Sequence, residues 1–143
     1  MTETELHLGK LTLGLAVIQR QVEAPGEPYR DWLMCDVRVQ APGFSGRFQW
    51  NVMPGELVEL ARNLEALHSR FPEPATVTLR PTEPNVELAF TTEETGHING
   101  TYAMRPNLAE RDGLTGSFVI GQSYLPCLVN ALRAFVRDAT DCA

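Results

Sequence analysis

Apolar residues recur along this chain with two periods, and the switches between them mark its elements. Leu11, Leu13, Leu15 and Val17 occupy alternate positions, so they share one face of a strand within Lys10–Glu23. The other face, Thr12, Gly14, Ala16 and Ile18, is small or apolar, which predicts a strand covered on both sides or bent at its glycine. Ala24 to Pro28 is a loop by its proline and glycine content. Trp32 to Gln40 alternates again, with Leu33, Cys35, Val37 and Val39 inward and Met34, Asp36, Arg38 and Gln40 outward. A Pro-Gly connection then leads to Phe44, Gly46, Phe48, Trp50 and Val52 inward, opposite Ser45, Arg47, Gln49 and Asn51, so the two runs form a hairpin.

The period then lengthens. Pro54 suits a first helical position, where its missing N–H costs nothing, although Met53 before it offers no polar cap. Leu57, Leu60, Ala61, Leu64 and Leu67 form one stripe, with Glu56 near the helix start and His68 near its end, until Phe71-Pro-Glu-Pro stops it. Strands resume at Thr76–Arg80, at Val86, Leu88 and Phe90, and, after the hairpin loop Glu93–Gly96, at Ile98, Tyr102 and Met104. That hairpin is expected to set His97 across from Asn85 or Glu87. Leu114, Phe118 and Ile120 point inward from the last strand. Ser123 reads as the N-cap of a final helix striped by Leu125, Leu128, Val129, Leu132, Phe135 and Val136.

The order βββ-α-ββββ-α is rich in hairpins and contains no repeating βαβ unit. It predicts an α+β protein: a mainly antiparallel sheet of about seven strands with both helices packed on one face and the other face polar. The length of 143 residues fits a single domain, 1–143, with 1–9 and 139–143 expected to fray.

Charge narrows the partners. Eighteen acids against twelve bases give a net charge of −6, which disfavours nucleic acid and anionic membrane and suits a basic protein. The longest apolar stretch falls short of a bilayer span of about 20 residues. The acidic Met1–Glu5 start does not resemble a secretory signal, and three separated cysteines form no CxxC, so a reducing cytoplasm is expected.

Chemistry is sparse. GxGxxG, GxxxxGK[ST] and HExxH are all missing, and Gly43-Phe-Ser-Gly46 is not a nucleophile elbow. No metal and no cofactor is expected. Cys35 and Cys127 read as small core residues, and Cys142 as a thiol at a frayed end. Asn99-Gly-Thr101 matches a glycosylation sequon, which without a secretory signal is coincidental. Glu83, Glu87, Glu93 and Glu94 fall between Arg80 and Arg105 with no base among them, an acidic hairpin. His97 follows its loop, either as a plain surface histidine or as a proton carrier near a carboxylate.

Three stretches carry a family resemblance: Phe44-x-Gly46-x-Phe48-x-Trp50 before a helix with Glu56-Leu57 and Leu64-x-x-Leu67; Gly96-His97-Ile98 after an acidic loop; and Gly121-Gln-Ser-Tyr-Leu125 leading into Leu128 and Leu132. Over about residues 10 to 137 the chain resembles the WapI-type bacterial immunity proteins, small domains otherwise of unknown function. The resemblance implies a non-enzymatic protein that binds and blocks a cognate toxin. The charge pattern points to Asp36, Glu87, Glu93, Glu94 and His97 as partner contacts, with a basic toxin domain as the partner. Two other readings stand beside it. One is a small-ligand binder or enzyme on a polar face of Asp36, Arg38, Arg47, Gln49, Glu87 and His97. The other is a structural subunit with an apolar patch near Trp32 and Met34.

Overall fold

Alternating apolar residues carry the chain through four antiparallel strands before its first helix. In the computed structural model, which describes residues 2–141, these are β1 (Glu3–Leu8), β2 (Leu11–Gln21), β3 (Trp32–Ala41) and β4 (Phe44–Val52). Helix α1 (Pro54–Arg70) follows, then β5 (Thr76–Leu79), β6 (Val86–Thr92), β7 (His97–Met104), β8 (Leu114–Gly121) and helix α2 (Leu125–Thr140).

The antiparallel α+β class is as the pattern predicts, but there are eight strands in two sheets. β1-β2-β3-β4 form one and β5-β6-β7-β8 the other, each with sequence neighbours paired. Four strands and a helix thus occur twice in succession. The extra strand is β1, in the segment expected to fray. It pairs with β2 from Glu3↔Ala16 to Leu8↔Leu11 and buries Leu6 and Leu8. With only two leucines between charged residues, it leaves a weak apolar signal. The turn after it requires glycine: Gly9 has φ 63°, and a Cβ there would lie 2.8 Å from the Val119 carbonyl oxygen of β8.

The two helices pack on each other, and each also flanks a different sheet, α1 beside β5 and α2 beside β1. One hydrophobic cluster takes side chains from both sheets and both helices, among them Val37, Trp50, Leu64, Phe90, Leu132 and Phe135. The Arg133 guanidinium donates to Glu65 through Nη1 and Nη2, at 2.7 and 3.2 Å, bridging α2 to α1 at the surface.

Both helix starts differ from the pattern. Glu56 stands in for the polar cap that Met53 lacks: its Oε1 accepts the Met53 N–H at 3.0 Å and its Oε2 the Thr82 N–H at 2.7 Å. Ser123 is not the cap of α2. It lies in a short 3-10 turn, Gln122–Tyr124, and the helix begins at Leu125 without a side-chain cap bond.

The end of β2 is anchored. Arg20 Nε donates to the fully buried Asp31 at 2.7 Å, and its Nη1 donates to the Thr140 carbonyl at the end of α2, 3.1 Å away. Ala139 is buried in the same region, so the described part of the C-terminal segment is helical and packed. The irregularity in β2 falls at Val17/Gln19, not at Gly14, which pairs normally with Arg38. That shift sets Gln19 and Gln21 opposite Met34 and Trp32.

Candidate partner-binding surfaces

The outer face of the β5–β8 sheet is built from the polar half of each alternation. Cross-strand rows run Thr76–Thr91–Asn99–Val119 and Thr78–Ala89–Thr101–Ser117. The Thr76 and Thr91 hydroxyls hydrogen-bond at 3.2 Å, as expected for directly opposed residues. The face is thus rich in hydroxyl groups and nearly uncharged along its middle.

Its charge gathers at the β6–β7 hairpin. Glu93 receives the Asn99 side-chain amide at 2.7 Å, and its backbone N–H donates to the His97 carbonyl at 2.8 Å. Gly96 closes the turn at φ 89°. Glu94 is exposed at the tip, and the His97 ring nitrogen Nδ1 lies 3.2 Å from the Thr95 hydroxyl. Glu93, Glu94 and His97 therefore share one exposed corner. Glu87 does not join them. It pairs with Ala103, while Ile98 pairs with Thr92 and His97 with Gly121, so His97 is opposite neither Asn85 nor Glu87. Glu93 lies six positions along the chain from Glu87, roughly 20 Å of extended backbone. Asn85 is buried and donates to the Arg105 carbonyl at 2.8 Å.

Asp36 lies on the other sheet. It is on the outer face, as alternation predicts, but is only 8% exposed because two arginines cover it. Arg47 Nε donates to Oδ1 at 2.8 Å, and Arg38 Nε lies 3.4 Å from Oδ2. The Arg47 hydrogen bond leads in holding the Asp36 carboxyl below its usual range, against the opposing effect of burial, and Asp36 in turn raises Arg47. Asp36 is thus an internal brace for two exposed guanidinium groups. The signal for this was the outward parity of Arg38 and Arg47, but parity does not give register. Beside the brace runs an open groove. Its floor is Thr12, Gly14 and Ala16, with Glu3 and Glu5 on one side and Arg38 and Arg47 on the other. The polar face of the ligand reading is therefore divided: Asp36, Arg38, Arg47 and Gln49 belong to one sheet, Glu87 and His97 to the other.

Cys35 is buried in the core, and burial pushes its thiol up to about 12, so it is not a thiolate at neutral pH. Cys127 is exposed on α2 and is not the small core residue expected; Cys142 lies outside the described residues. Among the described residues no group of three or more His, Cys, Asp or Glu could hold a metal ion. Among the described residues no helix is long and apolar enough to cross a membrane. Trp32 and Met34 are half-buried, and among the described residues the exposed large apolar side chains are instead Ile18, Val22, Tyr29, Phe44 and Val119.

The model of the immunity protein WapI-like family matches residues 7–139. No curated protein matches the chain. Among solved structures, WHY1 from Arabidopsis thaliana is 11% identical with a TM-score of 0.43, covering 97% of this chain and 85% of its own. The plant transcriptional regulator PBF-2 is 9% identical with a TM-score of 0.42, covering 94% and 80%. Likeness at this level carries no argument about either fold or function.

Proposed function

This chain belongs to the immunity protein WapI-like family, and on that premise we propose that it binds a cognate toxin domain in the cytoplasm and neutralises it without catalysis. The family match over residues 7–139 is the observation that carries the reading. The net charge of −6 supports a basic toxin, since opposite charges steer encounter and disfavour wrong partners. The corner formed by Glu93, Glu94 and His97 is the proposed contact. It is exposed, and the hairpin that carries it is closed by backbone hydrogen bonds, so binding orders little. Glu87 extends the same face toward its other end. Asp36 lies on the other sheet beneath Arg38 and Arg47 and is not part of this contact.

The test has two steps. Immobilised protein is exposed at low salt to lysate of the source cells, and the retained polypeptide is identified. Its candidate toxin domain is then expressed alone and together with this chain. The reading expects growth arrest from the domain alone and recovery on co-expression, with a stable complex on purification. Growth arrest that co-expression leaves unchanged would overturn it.

A further inference from the structure

We propose that a pocket at the far end of the β1–β4 sheet binds an arginine side chain of a protein partner. The inference rests on the protein-binding reading above and names one group such a partner inserts. The pocket exists because β2 shifts register at Val17/Gln19. Beyond that shift, Gln21 opposes Trp32, Gln19 opposes Met34, and Asn51 of β4 opposes Met34 from the other side. Trp32 and Met34, both half-buried, lie between these flanking strands, with Glu23 and Glu83 completing the lining.

The chemistry of the lining selects the occupant. Two side chains are carboxylates, three are carboxamides, one is an indole and one a thioether. Among the described residues none of those lining the pocket is basic, so its charge is unanswered from within the chain. An indole favours a cation, and favours a planar guanidinium over an ammonium because the guanidinium can also stack on it. Carboxylate and amide oxygens match the five N–H donors of arginine. The volume is about 290 Å³, at the lower limit for small-molecule sites, which suits one inserted side chain better than a larger free ligand.

The Glu23 carboxylate and the backbone of Glu83 are held before any partner arrives. Gln21 Nε2 donates to Glu23 Oε1 at 3.0 Å. The Glu83 carbonyl accepts Trp50 Nε1 at 2.7 Å and the Asn85 N–H at 2.9 Å, which fixes its backbone at the rim. Such preorganisation reduces the ordering cost of binding.

A short blocked peptide with one central arginine is the probe, titrated into isotope-labelled protein and followed by NMR. Its control carries citrulline, which has nearly the same shape and no charge. The arginine peptide is expected to move the Trp32 indole N–H and the Gln19, Gln21 and Asn51 side-chain amide signals saturably, about tenfold more tightly than citrulline. Glu23→Gln with Glu83→Gln is expected to weaken it about fivefold or more. The Trp50 indole signal reports that the variant is folded, because its acceptor is a backbone oxygen. No movement at Trp32, equal binding of citrulline, or shifts confined to the Glu93–Glu94 hairpin would each overturn the proposal. None of these results bears on toxin neutralisation, which the co-expression experiment decides separately.

Discussion

Single side chains show where the tolerance of this protein ends. Gly100 on β7 faces Phe118 on β8, and a Cβ at residue 100 would overlap the Phe118 ring. That ring has little room to retreat, since it packs edge-on against Phe90 with centroids 5.5 Å apart. Gly100→Ala is therefore expected to destabilise by about 1–3 kcal/mol through overpacking, read as a lower urea midpoint at unchanged slope. Asp36 gives a pH prediction. Its folded-state affinity for a proton is depressed, foremost by the Arg47 hydrogen bond. The stability it contributes is then fully present above the ordinary carboxylate range. It is lost as pH falls through that range toward the lower value Asp36 has when folded. Asp36→Asn should flatten this part of the stability–pH curve and leave the curve's shape at neutral pH unchanged, which urea titrations across acidic pH can check. Glu65, lowered foremost by its hydrogen bond from Arg133, acts in the same direction, but its exposure lets solvent screen the pair.

At the scale of elements, the strands and helices that hold the core are those with the clearest periodicity. The stripes of α1 and α2 are buried as their spacing predicts, and so are the alternating residues of β3, β6 and β7. Less was legible where long-range partners decide. β1 gains its place by pairing with β2, and the start of α1 is completed by Glu56 reaching both Met53 and Thr82. No local pattern announces the second of those bonds. Glu56→Ala should therefore remove a helix cap and loosen the loop bearing Glu83 in one step. A stability loss of about 1–2 kcal/mol is expected, with faster amide exchange at both Met53 and Thr82. The Arg20–Asp31 pair ties the end of β2 to the last turn of α2. Asp31 is fully buried, so Asp31→Ala leaves Arg20 without its carboxylate and should cost about 3 kcal/mol, measured by urea unfolding.

Across the whole molecule, the division into two sheets decides what the surface can do. Composition identified an acidic protein and its hairpin, and alternation identified the outward residues. Neither could separate Asp36 from Glu87 and His97, because strand parity is local and sheet membership is not. Once separated, the acidic corner at Glu93–Glu94 lies on the β5–β8 sheet and the Trp32 pocket mainly on the β1–β4 sheet, with Glu83 added from the β5–β6 loop, and among the described residues no hydrogen bond or ion pair joins them. A basic toxin that engages both must span two independent sites, and the energetics should reflect this. Reversing Glu93 and Glu94 to Lys removes exposed charges, so its expected effect is slower association and a weaker salt dependence, with a loss of about 1 kcal/mol. Removing the pocket carboxylates should act mainly on dissociation, because an inserted side chain must leave a partly desolvated site. Combined in one protein, the two sets of changes should add to within about 0.5 kcal/mol. A large departure from additivity in stopped-flow or surface-binding measurements would mean that the partner reads the two sites as one.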